Sequence, residues 1–385
     1  MKKEKALNRV RILHTGDIHL DSSFSRAGVR GGEERRAELR SVFSDLMKYV
    51  KNTKIDVLLI AGDLFDTELA TSETLELLVR EFSACRIPIF IAPGNHDPYT
   101  ANSIYSFGKF PKNVHIFKEK SLSSVYIEEL NTEVYGWAFE DISHSFSPLA
   151  DKRVGITDRL NLVCGHAQLD NPLTEYCPVT KKDIESFGAD YYAFGHVHLN
   201  PEQKKAGDAS YAYSGFLLGR SFDECGVGGA WLIEAEEKEG GGYEIETKRL
   251  TFGQHIYESI TVSIDGALDT PAIEKRIREE IKNLGLGAGC SLRVTLTGAV
   301  SLSFSTKELE GCDLGVDYVE YKNKTTPAYG AEELKNDMSI KGELYRYLLP
   351  TLEGGSASER ETALRALKIG LAALDGRDIT TQTEV

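Results

Sequence analysis

Five apolar runs of this sequence are each followed by side chains that can bind a metal ion. With their polar ends the runs read VRILHTGDIHLD, IDVLLIAGDLFD, IPIFIAPGNHD, LNLVCGHAQLD and DYYAFGHVHLN. The candidate ligands at these ends are Asp17, His19, Asp63, Asn95, His166, His196 and His198. A single GD or GH after a strand is usually a turn, because Gly permits tight backbone geometry and Asp caps the next helix. Five in succession are hard to explain as separate turns.

The number and type of these donors predict a site for two ions. Two carboxylates, four imidazoles and one amide are too many for one ion, but they suit two ions that share a carboxylate. Mixed nitrogen and oxygen donors without thiolate favour Mn²⁺, Fe²⁺ or Zn²⁺ over Ca²⁺, Mg²⁺ or Cu⁺. Two ions about 3.5–4 Å apart activate water and stabilise the attacking and leaving oxygens in phosphate ester hydrolysis. His96, next to Asn95, is then left free to act as an acid.

Two of the runs end in pairs of candidate ligands. His196 and His198 are two positions apart, and so are Asp17 and His19. In an extended chain, side chains at i and i+2 point to the same side. We therefore expect each pair to leave its strand on one side. The histidines outside the pattern are interpreted as structural or surface residues: His14, His115, His144 and His255.

The elements that must position these residues alternate between strand and helix. Helical patterns at 33–51 and 71–84 separate the first apolar runs, which is typical of βαβ units around a buried sheet. The carboxyl ends of parallel strands lie along one edge, where ligand sites form. Closer-spaced runs near 113–117, 124–128, 133–139, 210–214, 229–235 and 243–249 suggest an added, more antiparallel sheet. The pattern predicts an α/β sandwich of two β-sheets with helices outside.

The pattern changes after about residue 255. Two alternating strands, ESITVSI and SLRVTLTG, flank a helix whose apolar stripe is Ile273, Ile277, Ile281 and Leu284. Helices follow from about 331, and Ser358 with Glu361 matches a capping box for the last one. In it Leu364, Leu367, Leu371 and Leu374 recur at heptad-like spacing, for packing on the chain's own core or on a partner helix. We expect domains at 1–255, 256–330 and 331–385.

The charge distribution bears on possible partners. The net charge of −14 argues against unassisted nucleic-acid binding, which usually shows as a basic face. Residues 1–60, however, carry 13 Lys and Arg against 8 Asp and Glu. Arginines contribute much of this excess, and they form either a solvated helix face or a phosphate-binding face: Arg26, Arg30, Arg35, Arg36 and Arg40.

Cysteine usage and hydropathy bear on the compartment. The six cysteines are scattered without a CxxC pair, which is typical of reduced thiols. The longest apolar runs, IDVLLIA and IPIFIA, are too short to span a bilayer. We therefore expect a cytoplasmic protein without a membrane partner.

The motifs DIH, GDLFD, GNHD, GH and GHVH, in this order, resemble the calcineurin-like metallophosphoesterase superfamily over about residues 10–250. HLDSSF at 19–24, GDLFD at 62–66 and YSGFLLGRSFDECGVGGAWLIE at 213–234 look like the narrower group of bacterial SbcD- and YhaO-type DNA-repair exonucleases. The resemblance implies a four-layer α/β sandwich of two mixed β-sheets flanked by helices, with a smaller C-terminal α+β capping domain.

The resemblance also implies roles for individual residues. One ion would be held by Asp17, His19, Asp63 and His198, and the other by Asp63, Asn95, His166 and His196. Asp63 would bridge the two ions, and the histidine pair would serve both of them. His96 would protonate the leaving group or orient the phosphate, with support from Asp97. Asp66 stands where some relatives carry a histidine, and Arg220 is either near the substrate or in a structural salt bridge.

The function expected on this basis is that of a metal-dependent DNA phosphodiesterase, an exonuclease or endonuclease of DNA repair. Two divalent ions, Mn²⁺ or else Fe²⁺ or Zn²⁺, would be its cofactors. The resemblance implies a Rad50/SMC-like ATPase partner that supplies phosphate contacts, and a homodimer is compatible with it. Two alternatives remain open: a small-molecule phosphatase or cyclic-nucleotide phosphodiesterase, because the metal motifs do not encode substrate size, and a non-catalytic subunit.

Overall fold

The computed structural model describes residues 8–24, 32–67, 70–199, 201–300, 306–327 and 330–376. The chain divides into two compact units, one ending at Ile256 and one beginning at Tyr257. The small sheet and the C-terminal helices, for which the sequence predicts separate domains at 256–330 and 331–385, belong to the same unit.

The first unit alternates strands and helices along the chain. Its strands are β1 (Arg9–Thr15), β2 (Val57–Ile60), β3 (Ile89–Ile91), β4 (Val114–Ile116), β5 (Ser123–Ile127), β6 (Thr132–Gly136), β7 (Leu160–His166), β8 (Gln168–Leu169), β9 (Pro178–Val179), β10 (Tyr191–Gly195), β11 (Gln203–Ala206), β12 (Ala209–Tyr213), β13 (Gly229–Glu237) and β14 (Tyr243–Thr251). Its helices are α1 (Gly32–Asn52), α2 (Ser72–Ser83), α3 (Ile104–Phe107) and α4 (Lys181–Phe187).

Twelve of these strands form two mixed six-stranded sheets, and β8 pairs with β9 in a separate two-stranded sheet. The first sheet has the order β14-β13-β1-β2-β3-β4, in which β1 to β4 are parallel and β13 and β14 antiparallel. The second has the order β11-β12-β10-β7-β6-β5, in which only the outer strands β11 and β5 are antiparallel. The added second sheet is therefore confirmed, but it is not the more antiparallel one that was expected, because the later strands join both sheets.

The expectation of one parallel sheet edge is wrong as well. The first three candidate strands, β1, β2 and β3, lie in the first sheet, whereas β7 and β10 lie in the second. Each of these strands is almost entirely buried, which is typical of parallel strands covered on both faces. Burial on both faces leaves no period-2 alternation that could assign a strand to one sheet or the other.

Three apolar clusters join four layers. Ile12, Leu59, Leu162 and Tyr191 pack together and connect the two sheets. The outer face of the first sheet packs on α1 and α2, and that of the second sheet packs on α4. The expected four-layer sandwich of two mixed sheets flanked by helices is thus confirmed.

Two of the three arginines of α1 are buried and therefore belong neither to a solvated face nor to a free phosphate-binding face. Arg35 is 1% exposed and donates to the Gly219 carbonyl at 2.9 Å. Arg40 is 8% exposed and pairs with Glu33 and Glu73. These two side chains therefore hold the fold together, while Arg36 pairs with Glu33 on the surface. Arg26 and Arg30 lie outside the described residues.

The second unit is α+β. Its elements are β15 (Ile256–Ser263), α5 (Thr270–Asn283), β16 (Cys290–Thr297), β17 (Ala299–Val300), β18 (Tyr318–Asn323), β19 (Thr326–Pro327), α6 (Ala331–Asn336), α7 (Ile340–Gly354) and α8 (Ala357–Leu374). A three-stranded sheet has the order β15-β16-β18. The predicted stripe of α5 is buried at Ile273, Ile277 and Ile281, whereas Leu284 is exposed at its end.

The last helix begins two residues earlier than predicted. Its capping box is formed by Ser356 and Glu359 and not by Ser358 and Glu361, because Ser356 has the extended backbone that an N-cap requires. Its buried side chains include Leu367 and Leu371, while Leu364 and Leu374 are exposed. No helix within the described ranges is long and apolar enough to cross a membrane.

Candidate metal centre

The loops after β1 and β2 are hydrogen-bonded to each other along their length. The backbone N–H of Asp17 donates to the Gly62 carbonyl at 3.0 Å, and that of His19 donates to the Asp63 carbonyl at 2.9 Å. A bridge between Leu20 and Phe65 continues this pairing. The loops therefore hold the carboxylates of Asp17 and Asp63 as one unit at the ends of the two strands.

Several candidate ligands have a left-handed backbone. The φ angles are 47° at Asp17, 51° at His19, 47° at Asp63 and 103° at His196. Such angles are uncommon outside glycine and are concentrated at functional sites. The expected extended backbone is therefore wrong at both pairs, although the Asp17 and His19 side chains still converge on one group. At the second pair, the His196 N–H donates to the Asp17 carboxylate at 2.9 Å.

Four predicted ligands form one compact group. Ligand atoms of Asp17, His19, Asp63 and His198 all lie within 4.8 Å of one another. Nε2 of His19 is 3.3 Å from Nε2 of His198 and 3.7 Å from an Asp63 oxygen. Nε2 of His198 is 3.6 Å from an Asp17 oxygen.

The hydrogen bonds of the other ring nitrogens orient this group. Nδ1 of His19 is 3.1 Å from Asp66, and Nδ1 of His198 is 2.8 Å from Glu224. Carboxylates accept, so both Nδ1 atoms donate and both Nε2 atoms face the centre of the group. Bonds of about 2.0–2.1 Å to one tetrahedral ion separate two imidazole nitrogens by about 3.3 Å. The donor set therefore fits a divalent ion of the Mn²⁺, Fe²⁺ or Zn²⁺ type.

The remaining predicted ligands lie beside this group. Nε2 of His166 is 2.9 Å from the Asn95 amide oxygen and 3.4 Å from an Asp63 oxygen. The Ala61 carbonyl, 3.1 Å away, accepts from Nδ1 of His166 and turns Nε2 towards Asp63. The His196 ring lies 5.1 Å from that of His166, measured between centroids. Asp63 thus lies between the two predicted ligand sets.

One of these side chains is turned away from the others. Nε2 of His196 lies 3.0 Å from the Gln168 amide oxygen, and the ring lies 5.0 Å from that of Tyr176. Nδ1 is then the nitrogen of His196 that remains for an ion. Neither Gln168 nor Tyr176 belongs to a pattern that sequence inspection would select.

His96 lies at the edge of this centre. Its side chain is 46% exposed, and its backbone N–H donates to Asp63 at 3.0 Å. Nδ1 lies 3.4 Å from the Asp66 carbonyl and 3.7 Å from the Asp66 carboxylate. The ring is therefore held at the surface next to the candidate ligands, where it can reach a substrate.

Asp97 has a different position from the expected one. It is 1% exposed and accepts from the N–H groups of Phe65 and Gly94 and from the Tyr105 hydroxyl. Within the described ranges no hydrogen bond joins it to the His96 ring. Burial, and then the charge of Asp63, raises its pKa to about 7. Asp97 therefore fastens the GDLFD and GNHD loops together. The expected direct support of the His96 ring by Asp97 is not found among the described residues.

The electrostatics of the compact group favour positive charge at its centre. Burial by itself would lower the pKa of His198, but hydrogen bonds to Asp17 and Glu224 raise it to about 10. The pKa of Asp17 lies below its ordinary range, because His198, His166 and His19 outweigh the effect of burial. Burial also opposes ionisation of Glu224, yet His198 and Arg220 lower its pKa to about 2.

An open groove begins beside His96. It has a volume of about 750 Å³, and Asp66, Asn95 and His96 line its polar side. Ile142 and Tyr176, 67% and 40% exposed, line its apolar side. The groove therefore presents both polar and apolar side chains next to His96.

Residues 10–200 match the family model described as calcineurin-like phosphoesterase. This part of the chain is a calcineurin-like metallophosphoesterase domain, which confirms the resemblance carried by the five motifs.

The relatives extend this similarity. The chain is 24% identical to the uncharacterized metallophosphoesterase YhaO of Bacillus subtilis, over 76% of this chain and 72% of that protein. It is 25% identical to the DNA double-strand break repair protein Mre11 of Methanopyrus kandleri, over 70% of this chain and 62% of that protein. It is 28% identical to the SbcD component of the nuclease SbcCD of Bacillus subtilis, over 56% of this chain and 64% of that protein. The chain thus spans less than two thirds of the last two relatives.

Among solved structures, a dimetal phosphatase from Danio rerio is similar to 63% of this chain and covers 99% of its own, with 11% identity and a TM-score of 0.39.

Proposed function

We propose that this protein is a metal-dependent DNA phosphodiesterase with exonuclease or endonuclease activity. The observation that carries the proposal is the group of four ligand atoms within 4.8 Å of one another, beside an open groove that begins at His96. Nuclease relatives support DNA as the substrate class.

The chain's own residues would hold two divalent ions. Asp17, His19, Asp63 and His198 would bind one ion, and Asp63, Asn95, His166 and His196 the other. Bound together, such ions supply an activated water and stabilise the oxygens that attack and leave phosphorus. Mn²⁺ is the ion to test first, with Fe²⁺ and Zn²⁺ as alternatives.

His96 would act on the phosphate from the groove side. The Asp66 carbonyl is positioned to accept from Nδ1 at 3.4 Å. Nε2 is then the nitrogen that faces a phosphate oxygen, and it donates a proton or a hydrogen bond when the ring is the imidazolium cation, in which both nitrogens carry a proton. The neighbouring apolar wall gives an unstacked nucleobase a surface to pack on, since aromatic side chains stack bases without regard to sequence.

The negative charge of the chain disfavours binding to the DNA backbone. At a net charge of −14, long duplexes are repelled rather than attracted. A Rad50/SMC-like ATPase that supplies phosphate contacts would offset this repulsion. Exposed apolar side chains of the C-terminal helices, Ile340 and Tyr347, are 70% and 82% exposed and offer a docking surface for it.

The proposal is tested by a cleavage assay at fixed Mn²⁺. Purified protein is given end-labelled duplex DNA, single-stranded DNA and bis-p-nitrophenyl phosphate in parallel. His96→Asn should abolish DNA cleavage, whereas His115→Asn on β4, where the ring stacks on Phe90, should retain it.

Each outcome has a definite meaning. DNA cleavage that is lost only in the His96 variant supports the nuclease. Hydrolysis of the small ester without DNA cleavage, even after addition of the partner ATPase, contradicts it and favours the small-molecule phosphatase. Protein that cleaves none of the three substrates favours the non-catalytic role.

A further inference from the structure

One arginine connects two carboxylates that orient candidate metal ligands. Nη1 of Arg220 donates to Asp66 at 3.0 Å. Nε and Nη2 donate to Glu224 at 3.0 and 2.5 Å. Asp66 in turn accepts from His19, and Glu224 from His198. The guanidinium thus lies between the supports of both histidines of the compact group.

The planar shape of the guanidinium makes this connection rigid. Its five N–H donors point in fixed directions, so two carboxylates that bind it are fixed relative to each other. Glu224 is 4% exposed and also accepts from the backbone N–H of Arg220 at 2.8 Å. The carboxylate therefore has little freedom to turn away from His198.

The carboxylate partners determine which ring nitrogens face the ion. An imidazole whose Nδ1 donates to a carboxylate presents Nε2 to a metal, and such partners fix the tautomer and the ring orientation. Without Glu224, Nδ1 of His198 would lose its acceptor. The ring could then rotate or change tautomer, and the Nε2–Nε2 geometry of the group would no longer be defined.

We propose that Glu224, together with Arg220 and Asp66, is a positioning unit for the ion held by Asp17, His19, Asp63 and His198. The inference rests on the proposed metal centre and concerns one of its two ions. His166 is oriented by the Ala61 carbonyl at 3.1 Å. The second ion therefore does not depend on Glu224.

The test measures metal binding without a DNA substrate. Metal-free wild-type protein and variants are titrated with Mn²⁺ by calorimetry, and bound metal is counted by elemental analysis. Glu224→Ala should weaken the binding of one ion about 10- to 100-fold. This is the range found when the hydrogen-bond partner of a metal ligand is removed. The affinity for the other ion should remain within about twofold.

Two further variants separate positioning from a general structural effect. Glu224→Gln keeps an amide oxygen that can accept from Nδ1 and should lose less affinity than Glu224→Ala. Asp223→Asn, at the exposed neighbouring position, should bind Mn²⁺ like the wild type. Nitrogen NMR of the His198 ring should show a proton on Nδ1 in wild-type protein loaded with Zn²⁺, which is diamagnetic.

The outcomes distinguish this inference from the proposed function. Equal Mn²⁺ affinities in Glu224→Ala and wild type would overturn the positioning role even if DNA is cleaved. An equal loss of affinity for both ions would overturn the inference that Glu224 acts on only one of them. Wild-type protein that binds none of Mn²⁺, Fe²⁺ and Zn²⁺ refutes the metal centre itself, and the positioning role with it. If wild-type protein binds metal but leaves DNA uncut, only the proposed substrate is refuted.

Discussion

Substituting Gly195 by alanine tests how closely the two sheets approach at the candidate centre. A Cβ added at Gly195 would lie 1.8 Å from the Ala61 carbonyl oxygen and 2.9 Å from Nδ1 of His166. Ordinary van der Waals contact begins at 3.4 Å, so the two chains would have to separate by about 1.6 Å. The obstacle is backbone from the neighbouring sheet, which cannot move aside as a flexible side chain can.

The expected destabilisation follows from two effects. Overpacking of a well-packed interior costs about 1–3 kcal/mol. Loss of the hydrogen bond between His166 and Ala61 leaves buried polar groups unpaired, at about 1–3 kcal/mol. We therefore expect Gly195→Ala to lower the free energy of unfolding by about 2–6 kcal/mol and to weaken Mn²⁺ binding, because His166 is displaced.

Urea denaturation of metal-free protein, together with Mn²⁺ titration, measures both effects. Gly155→Ala is the matched control, since a Cβ there meets nothing within 4 Å, and it should change stability by less than about 0.5 kcal/mol. A Gly195→Ala protein that stays within about 1 kcal/mol of wild type and binds Mn²⁺ normally would show that the sheets do not approach as described.

Three further predictions concern pH, substrate and metal. Burial raises the pKa of Asp190 to about 6, so its ionisation opposes folding as pH rises from about 4 through 6. Asp190→Asn should then gain up to about 3 kcal/mol of stability at pH 7 and little at pH 4, whereas the exposed Asp208→Asn should gain nothing in urea denaturation. Tyr176→Ala should raise KM at least fivefold for a nucleoside p-nitrophenyl phosphate but not for bis-p-nitrophenyl phosphate, with Tyr126→Ala unchanged; equal effects on both esters would contradict base stacking. Mn²⁺ at 100 times its Kd should stabilise the wild type by about 2.7 kcal/mol per ion, and Asp63→Asn should lose most of this in thermal denaturation.

The elements that can be predicted from sequence have a local cause. The buried runs of β1, β2, β3, β7 and β10 and the stripe of α5 follow from hydrophobic periodicity. The start of α8 is ambiguous in the sequence, because Ser356 with Glu359 and Ser358 with Glu361 match the same capping pattern. Only the backbone geometry distinguishes the two, and that geometry depends on how the preceding loop packs.

Tertiary contacts select residues that carry no local signal. Glu224 lies in the loop after β12, 26 positions from His198, and its contact with that ring depends on the fold of the loop. Asp97 belongs to a recognisable motif, yet it points into the interior because Phe65, Gly94 and Tyr105 offer donors there. No spacing rule predicts either orientation.

The sequence by itself determined the family, and through it the fold class, together with the residue types at the five strand ends, because motifs and buried strands are local features of the chain. Only the tertiary structure decided that these ends come from two sheets, and that Arg220 joins the partners of His19 and His198. The physical reason is that metal-binding geometry depends on distances between residues far apart in sequence. Such distances are defined only when the sheets pack together and bury the groups that orient the ligands.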